Sequence, residues 1–387
     1  MKRKFIFVLS LFMLAYTLST AAYAEYPNGT HGTLGTYGSS ESAEVSISDI
    51  RGYIPEEALE LLPDELFDSG SGGVVSAFSF SYFAKLFFSL LSKAAEGSAV
   101  SLGSLLGLVV ISSAFHCAAD ITARGSLKGA FESIASLCVC LSVFGSVGEL
   151  AQSVNTHMQN LAALVNTMSP LVTTAYVSGG NLSAAAVNSA GLLVCLSVLE
   201  NIVAYGLFPI LELTLALAIC KSAAPKLRID TFASFVRGFF MLAIGLAVAA
   251  ISAVMSFQST LAAAADSVSS RAIRFAASSF IPIVGGAVSE AVRTMSGSIS
   301  AVRSAVGGIG IAAIAVMTLP TLISLMIVRV RFALAASFAD LLSCERECKL
   351  IKEGGSAVNF LIALVSLMSV MFIYALSLLV GCAVSYS

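Results

Sequence analysis

From Ser304 to Val328 the chain carries no charged residue, and Arg303 and Arg329 close the run at either end. A helix needs roughly 20 apolar residues to cross a hydrocarbon core about 30 Å thick, so this run is long enough to cross alone. Gly97 to Ala119, Gly238 to Ala265 and Gly354 to Val384 are equally free of Asp, Glu, Lys and Arg. A soluble fold has no interior large enough for so much apolar chain. The whole sequence is 57% hydrophobic with only 11% charged residues and a mean hydropathy of +0.91, against about 25% charge in ordinary soluble chains. The fold class this predicts is all-α: a polytopic helical membrane protein with broken or re-entrant and interfacial helices. The formal net charge of -2 gives no basic field for nucleic acid. The bilayer is the partner that composition demands.

The N-terminus has its own signature. Lys2, Arg3 and Lys4 precede an apolar run from Phe5 to Leu18, and Ala22-Tyr23-Ala24 follows. That order marks residues 1–24 as a secretory signal peptide, and the run falls short of a full span. Residues 25–75 are rich in Gly, Ser, Thr and acids and read as a flexible extracytoplasmic segment, with one short helix at Pro55 to Leu62. Residues 76–387 form the multi-span domain.

Within that domain, Phe78 to Ala95 holds Lys85 and Lys93 and is expected along the interface. Gly97 to Ala119 is the first span, with Gly103 and Gly107 set for close helix contact. Phe131 to Gly148 returns outward, and Asn155 to Ser178, with His157, Asn160, Asn166 and Pro170, suits a re-entrant or interfacial segment. Val187 to Cys220 is too long for one crossing, too short for two, and interrupted by Gly206 and Pro209, so a broken helix is expected. Gly238 to Ala265, Ser304 to Val328 and Gly354 to about Val384 complete roughly six crossings. Lys221, Lys226, Arg228 and Arg237 mark one cytoplasmic loop, and Arg329, Arg331, Arg346, Lys349 and Lys352 mark another.

Between the fourth and fifth crossings lies a stretch with unusual punctuation. Pro282 lacks a backbone donor and Gly285-Gly286 loosens the chain, so helix, break, helix, span is the expected order from Asp266 to Arg331. The segment falls outside the membrane by this count. Arg271, Arg274, Arg293 and Arg303 then lie on the outer side, against the simple charge rule.

Few residues point to chemistry. Glu200 and Glu212 flank the expected break, and a carboxylate at membrane depth faces a partner or a water-filled path; a stand-alone ion-coupled transporter is the alternative function they suggest. Cys344 and Cys348 share a helical face but have no second Cys/His pair at matching spacing, so free thiols and no metal are expected. His31, His116 and His157 form no recognisable set with a nucleophile, and no phosphate-binding loop is present. No catalytic residue, cofactor or metal ligand is assigned.

The order of parts and one run of residues carry a resemblance. Arg274-Phe275, Phe280-Ile281-Pro282-Ile283-Val284-Gly285-Gly286, Glu290-Ala291-Val292, Ser300, Ala305 to Gly307, and Pro320 in the following span resemble the stage III sporulation protein AE family. The resemblance implies a membrane subunit of a secretion-like channel between mother cell and forespore, needed for late forespore gene expression. It also implies that the ATPase and the ring-forming subunits are separate proteins, and that the chain sits in the mother-cell membrane around the forespore. Pro282, Gly285, Gly286 and Pro320 become the structural and interaction candidates.

Overall fold

A computed structural model describes residues 80–122, 126–178, 182–202, 205–206, 208–223, 229–280 and 285–381. The signal peptide, the segment 25–75 and Pro282 lie outside them. Seven helices follow in order: α1 (Phe80–Thr122), α2 (Ser126–Ser178), α3 (Leu182–Ile202), α4 (Phe208–Ala223), α5 (Ile229–Phe280), α6 (Gly285–Leu341) and α7 (Glu345–Gly381). Among the described residues there is no strand. Five stretches, one in each of α1, α2, α5, α6 and α7, are long and apolar enough to cross a membrane. The segment expected to be broken is the pair α3 and α4, and of the residues between them Tyr205 and Gly206 are described, in a π turn. Pro209 stands in the first turn of α4, where its missing donor costs nothing.

Three expected boundaries are absent. The interfacial segment and first span are one helix, α1; Gly97 between them costs about 1 kcal/mol of helix propensity, too little to stop a helix otherwise rich in Leu and Ala. The segment 155–178 continues α2 without a break, because Met158, Leu161, Leu164, Val165 and Met168 bury an apolar stripe at helical spacing along it. The helix after Gly285-Gly286 and the following span are likewise a single helix of 57 residues. The close contact expected at Gly103 and Gly107 is not made within the chain: a Cβ at either would meet nothing within 4 Å.

The core is the trio α2, α6 and α7, which pack on one another. Phe332 from α6 with Leu361, Leu364, Val365 and Phe372 from α7 is sealed at 1% exposure or less, as are Val147, Val154 and Leu161 from α2. Small residues bring the backbones together. Gly355 lies under the guanidinium of Arg329, and Gly310 faces Leu376. Around this centre α1 leans on α2 and α6, while α5 leans on α3, α4 and α7. Of the spans, that in α7 is 56% buried and those in α1 and α5 only 17%. The two outer helices therefore offer apolar side chains such as Phe88, Phe115, Phe239 and Leu246 to their surroundings.

Candidate functional site

Two groupings of polar side chains stand out among the described residues. In the first, Ser153, Thr156, His157 and Asn160 fall at i, i+3, i+4 and i+7 on α2, which puts them on one face. Opposite stand Met317, Pro320 and Thr321 of α6, and together they line a cavity of about 430 Å³. Pro320 brings no N–H to the helix, so the Val316 carbonyl loses its regular partner. His157 is 6% exposed and its Nε2 has no hydrogen-bond partner. The cavity offers hydroxyl, amide and imidazole groups and no carboxylate. Its lining residues include no acid to pair with the imidazole, and proton abstraction from a substrate is not written into it.

The second place is the turn between α6 and α7. Ser343 has a positive φ of 58°. Its N–H donates to the Asp340 carbonyl at 3.0 Å and the Cys344 N–H donates to Ala339 at 2.9 Å, the pair of bonds that closes a Schellman turn. Cys344 then starts α7: its carbonyl accepts the Cys348 N–H at 3.0 Å. One turn on, Glu347 is fully buried. Its Oε1 accepts a hydrogen bond from Ser112 Oγ at 2.8 Å and lies 3.3 Å from His116 Nε2, both on α1. Its Oε2 is buried with no hydrogen-bond partner. Burial pushes the Cys344 thiol up, the Glu347 charge adds to this, and a hydrogen bond from Ser113 works against both. At 2% exposure Cys344 is closed to substrates, which rules against a nucleophile of the Cys/His kind. Further along α7, Arg237 of α5 donates to Glu353 at 2.9 Å, and Arg329 of α6 donates to Asn359 at 3.0 Å.

The residues singled out in the sequence are distributed as follows. Pro320 lines the first cavity. Gly285 and Gly286 begin α6. Glu200 lies near the end of α3 and Glu212 in α4, and the Glu212 side chain is exposed. Cys344 and Cys348 are both buried, at the turn and in the first turn of α7. Sequence reading missed the partnership of His116 with Glu347, which are 231 positions apart. A signal existed: Cys344, Glu347, Cys348 and Ile351 repeat at helix spacing, which sets a glutamate on an otherwise apolar face.

A sequence model of the family described as Stage III sporulation protein AE matches residues 65–383. The chain belongs to the stage III sporulation protein AE family. It is also similar to the stage III sporulation protein AE of Bacillus subtilis (strain 168), at 20% identity over 313 residues, covering 79% of this chain and 76% of the relative. No solved structure matches it significantly. The stretch that matches the AE family takes in all of α1 to α6 and α7 to its end, so both polar places lie within the region that defines the family.

Proposed function

We propose that this chain is a non-enzymatic membrane subunit of a secretion-like channel linking mother cell and forespore, needed for late forespore gene expression. The observation that carries the reading is the family match over residues 65–383 on a chain with five helices fit to cross a membrane. The proposed site of action is the mother-cell membrane surrounding the forespore. Other membrane subunits, ring-forming subunits and a separate ATPase are the proposed partners, since this chain carries no phosphate-binding loop in its sequence.

Helix length supports a role in assembly. The uncharged run of α5 ends at Ala265 and that of α6 starts at Ser304, yet α5 runs on to Phe280 and α6 begins back at Gly285. At 1.5 Å per residue those extensions reach about 22 and 28 Å past the uncharged runs. The extension of α6 lies at the end opposite the basic α6–α7 turn, and Arg271, Glu290, Arg293 and Arg303 lie on the two extensions. With the basic turn cytoplasmic by the positive-inside rule, the extensions face the intermembrane space, where partner subunits would dock.

Deletion in the organism that carries the chain tests this reading. Engulfment should finish while a late forespore-specific reporter stays silent. Normal spores with an active reporter would overturn it.

A further inference from the structure

We infer that His116, Cys344 and Glu347 form a binding site for a borderline divalent cation of the Zn²⁺ type, tying α1 to the turn between α6 and α7. This inference stands apart from the channel reading and holds or fails without it. The donor atoms of the three residues lie within 4.8 Å of one another. A tetrahedral zinc with bonds of about 2.0–2.3 Å sets its ligands roughly 3.3–3.8 Å apart. The His116 Nε2 to Glu347 Oε1 distance of 3.3 Å already falls at that spacing, and a small inward movement brings the remaining atoms to it.

The independent pointer to a ligand is Glu347 itself. Its side chain is sealed from solvent, and Oε2 has no hydrogen-bond partner. A buried carboxylate needs its charge offset, and His116 and Ser112 both approach the other oxygen. A cation held by all three residues supplies what that carboxylate lacks. The chemistry of the set selects among cations. One imidazole and one thiolate with one carboxylate suit zinc or cobalt, and disfavour magnesium or calcium, which take oxygen ligands. Three protein ligands leave a fourth position for water on the side of His116, whose ring is 26% exposed.

The geometry also explains why these residues come from separate parts of the chain. The trio of α2, α6 and α7 is the buried centre, whereas the span of α1 is only 17% buried. A metal bridging His116 to Cys344 and Glu347 fixes the end of α1 to that centre.

The test uses full-length protein purified in detergent, stripped with a chelator and titrated with Co²⁺. One equivalent should give visible bands of tetrahedral intensity together with a near-ultraviolet sulfur-to-cobalt band, and Zn²⁺ should abolish both by competition. Cys344→Ser should lose the sulfur band, and His116→Asn should weaken cobalt binding at least tenfold. Chelation should lower the Tm of the native chain and leave that of Cys344→Ser unchanged. The native titration needs no variant, so a variant that fails to fold does not affect the outcome. Absence of a stoichiometric cobalt spectrum, or a sulfur band that survives in Cys344→Ser, overturns the inference.

Discussion

Replacing Gly354 with Ala tests how tightly the central trio is packed. A Cβ at this position would collide with Cγ1 of Val143 on α2 and would sit 3.4 Å from Cε2 of Phe332 on α6. Neither neighbour has room to withdraw: Val143 is 4% and Phe332 1% exposed, and a β-branched valine has little rotamer freedom in a helix. Overpacking of this kind costs about 1–3 kcal/mol. Exchanging Gly for Ala inside a helix returns about 1 kcal/mol. Gly145→Ala on α2 isolates the second effect, because a Cβ there meets nothing within 4 Å. Subtracting the two substitutions cancels propensity and leaves a difference of about 1–3 kcal/mol from the collision alone. Reversible unfolding in mixed detergent micelles measures both. In Gly354→Ala with Val143→Ala the collision disappears, so a coupling of similar size should appear in the cycle. If the two glycine variants shift stability equally, the close approach of α7 to α2 is wrong.

Three further outcomes follow from named contacts. Ser343→Gly should stabilise the chain by about 1 kcal/mol, because a left-handed backbone costs an L-residue roughly 1–2 kcal/mol, whereas Ser343→Val should destabilise it; denaturation midpoints decide. Removing either end of the Arg237–Glu353 pair, which is 10% and 26% exposed at its two side chains, should cost about 1–3 kcal/mol, and the double variant should lose less than the sum of the singles. Gly285→Leu with Gly286→Leu should leave the protein in the membrane but reduce recovery of partner subunits on co-purification; full recovery would count against docking at the extended start of α6.

What was legible in the sequence tracks with distance along the chain. Absence of charge from Ser304 to Val328 and from Gly354 onward was enough to place α6 and α7, since crossing is a local property of about 20 residues. Gly206 and Pro209 likewise marked the break between α3 and α4. Boundaries fail where a weak local signal meets a strong helix: Gly97 and the polar residues after Asn155 read as ends, yet α1 and α2 run through them. The polar stripe of Ser153, Thr156, His157 and Asn160 had the helical period all along. Its facing partner, Pro320, could not be read, because pairing of α2 with α6 is set by packing across more than 150 residues. The same holds for His116, which looked solitary within an uncharged run.

The first turns of α7 organise the molecule in a way that neither composition nor span count anticipates. Glu347 receives Ser112 and His116 from α1, and six residues on, Glu353 receives Arg237 from α5. At 100° per residue, two positions six apart lie about 120° around a helix, so the two carboxylates face the two flanking helices. Both outer helices, the least buried of the spans, thus add a polar contact with one short segment of α7 to the apolar packing of Leu105 and Val109 on α1 and of Ile244 and Ala262 on α5. Polar contacts in a dry setting are directional and depend on their partners being present. The two glutamates therefore fix the position of α1 and α5 along α7, on a centre that apolar packing already holds together.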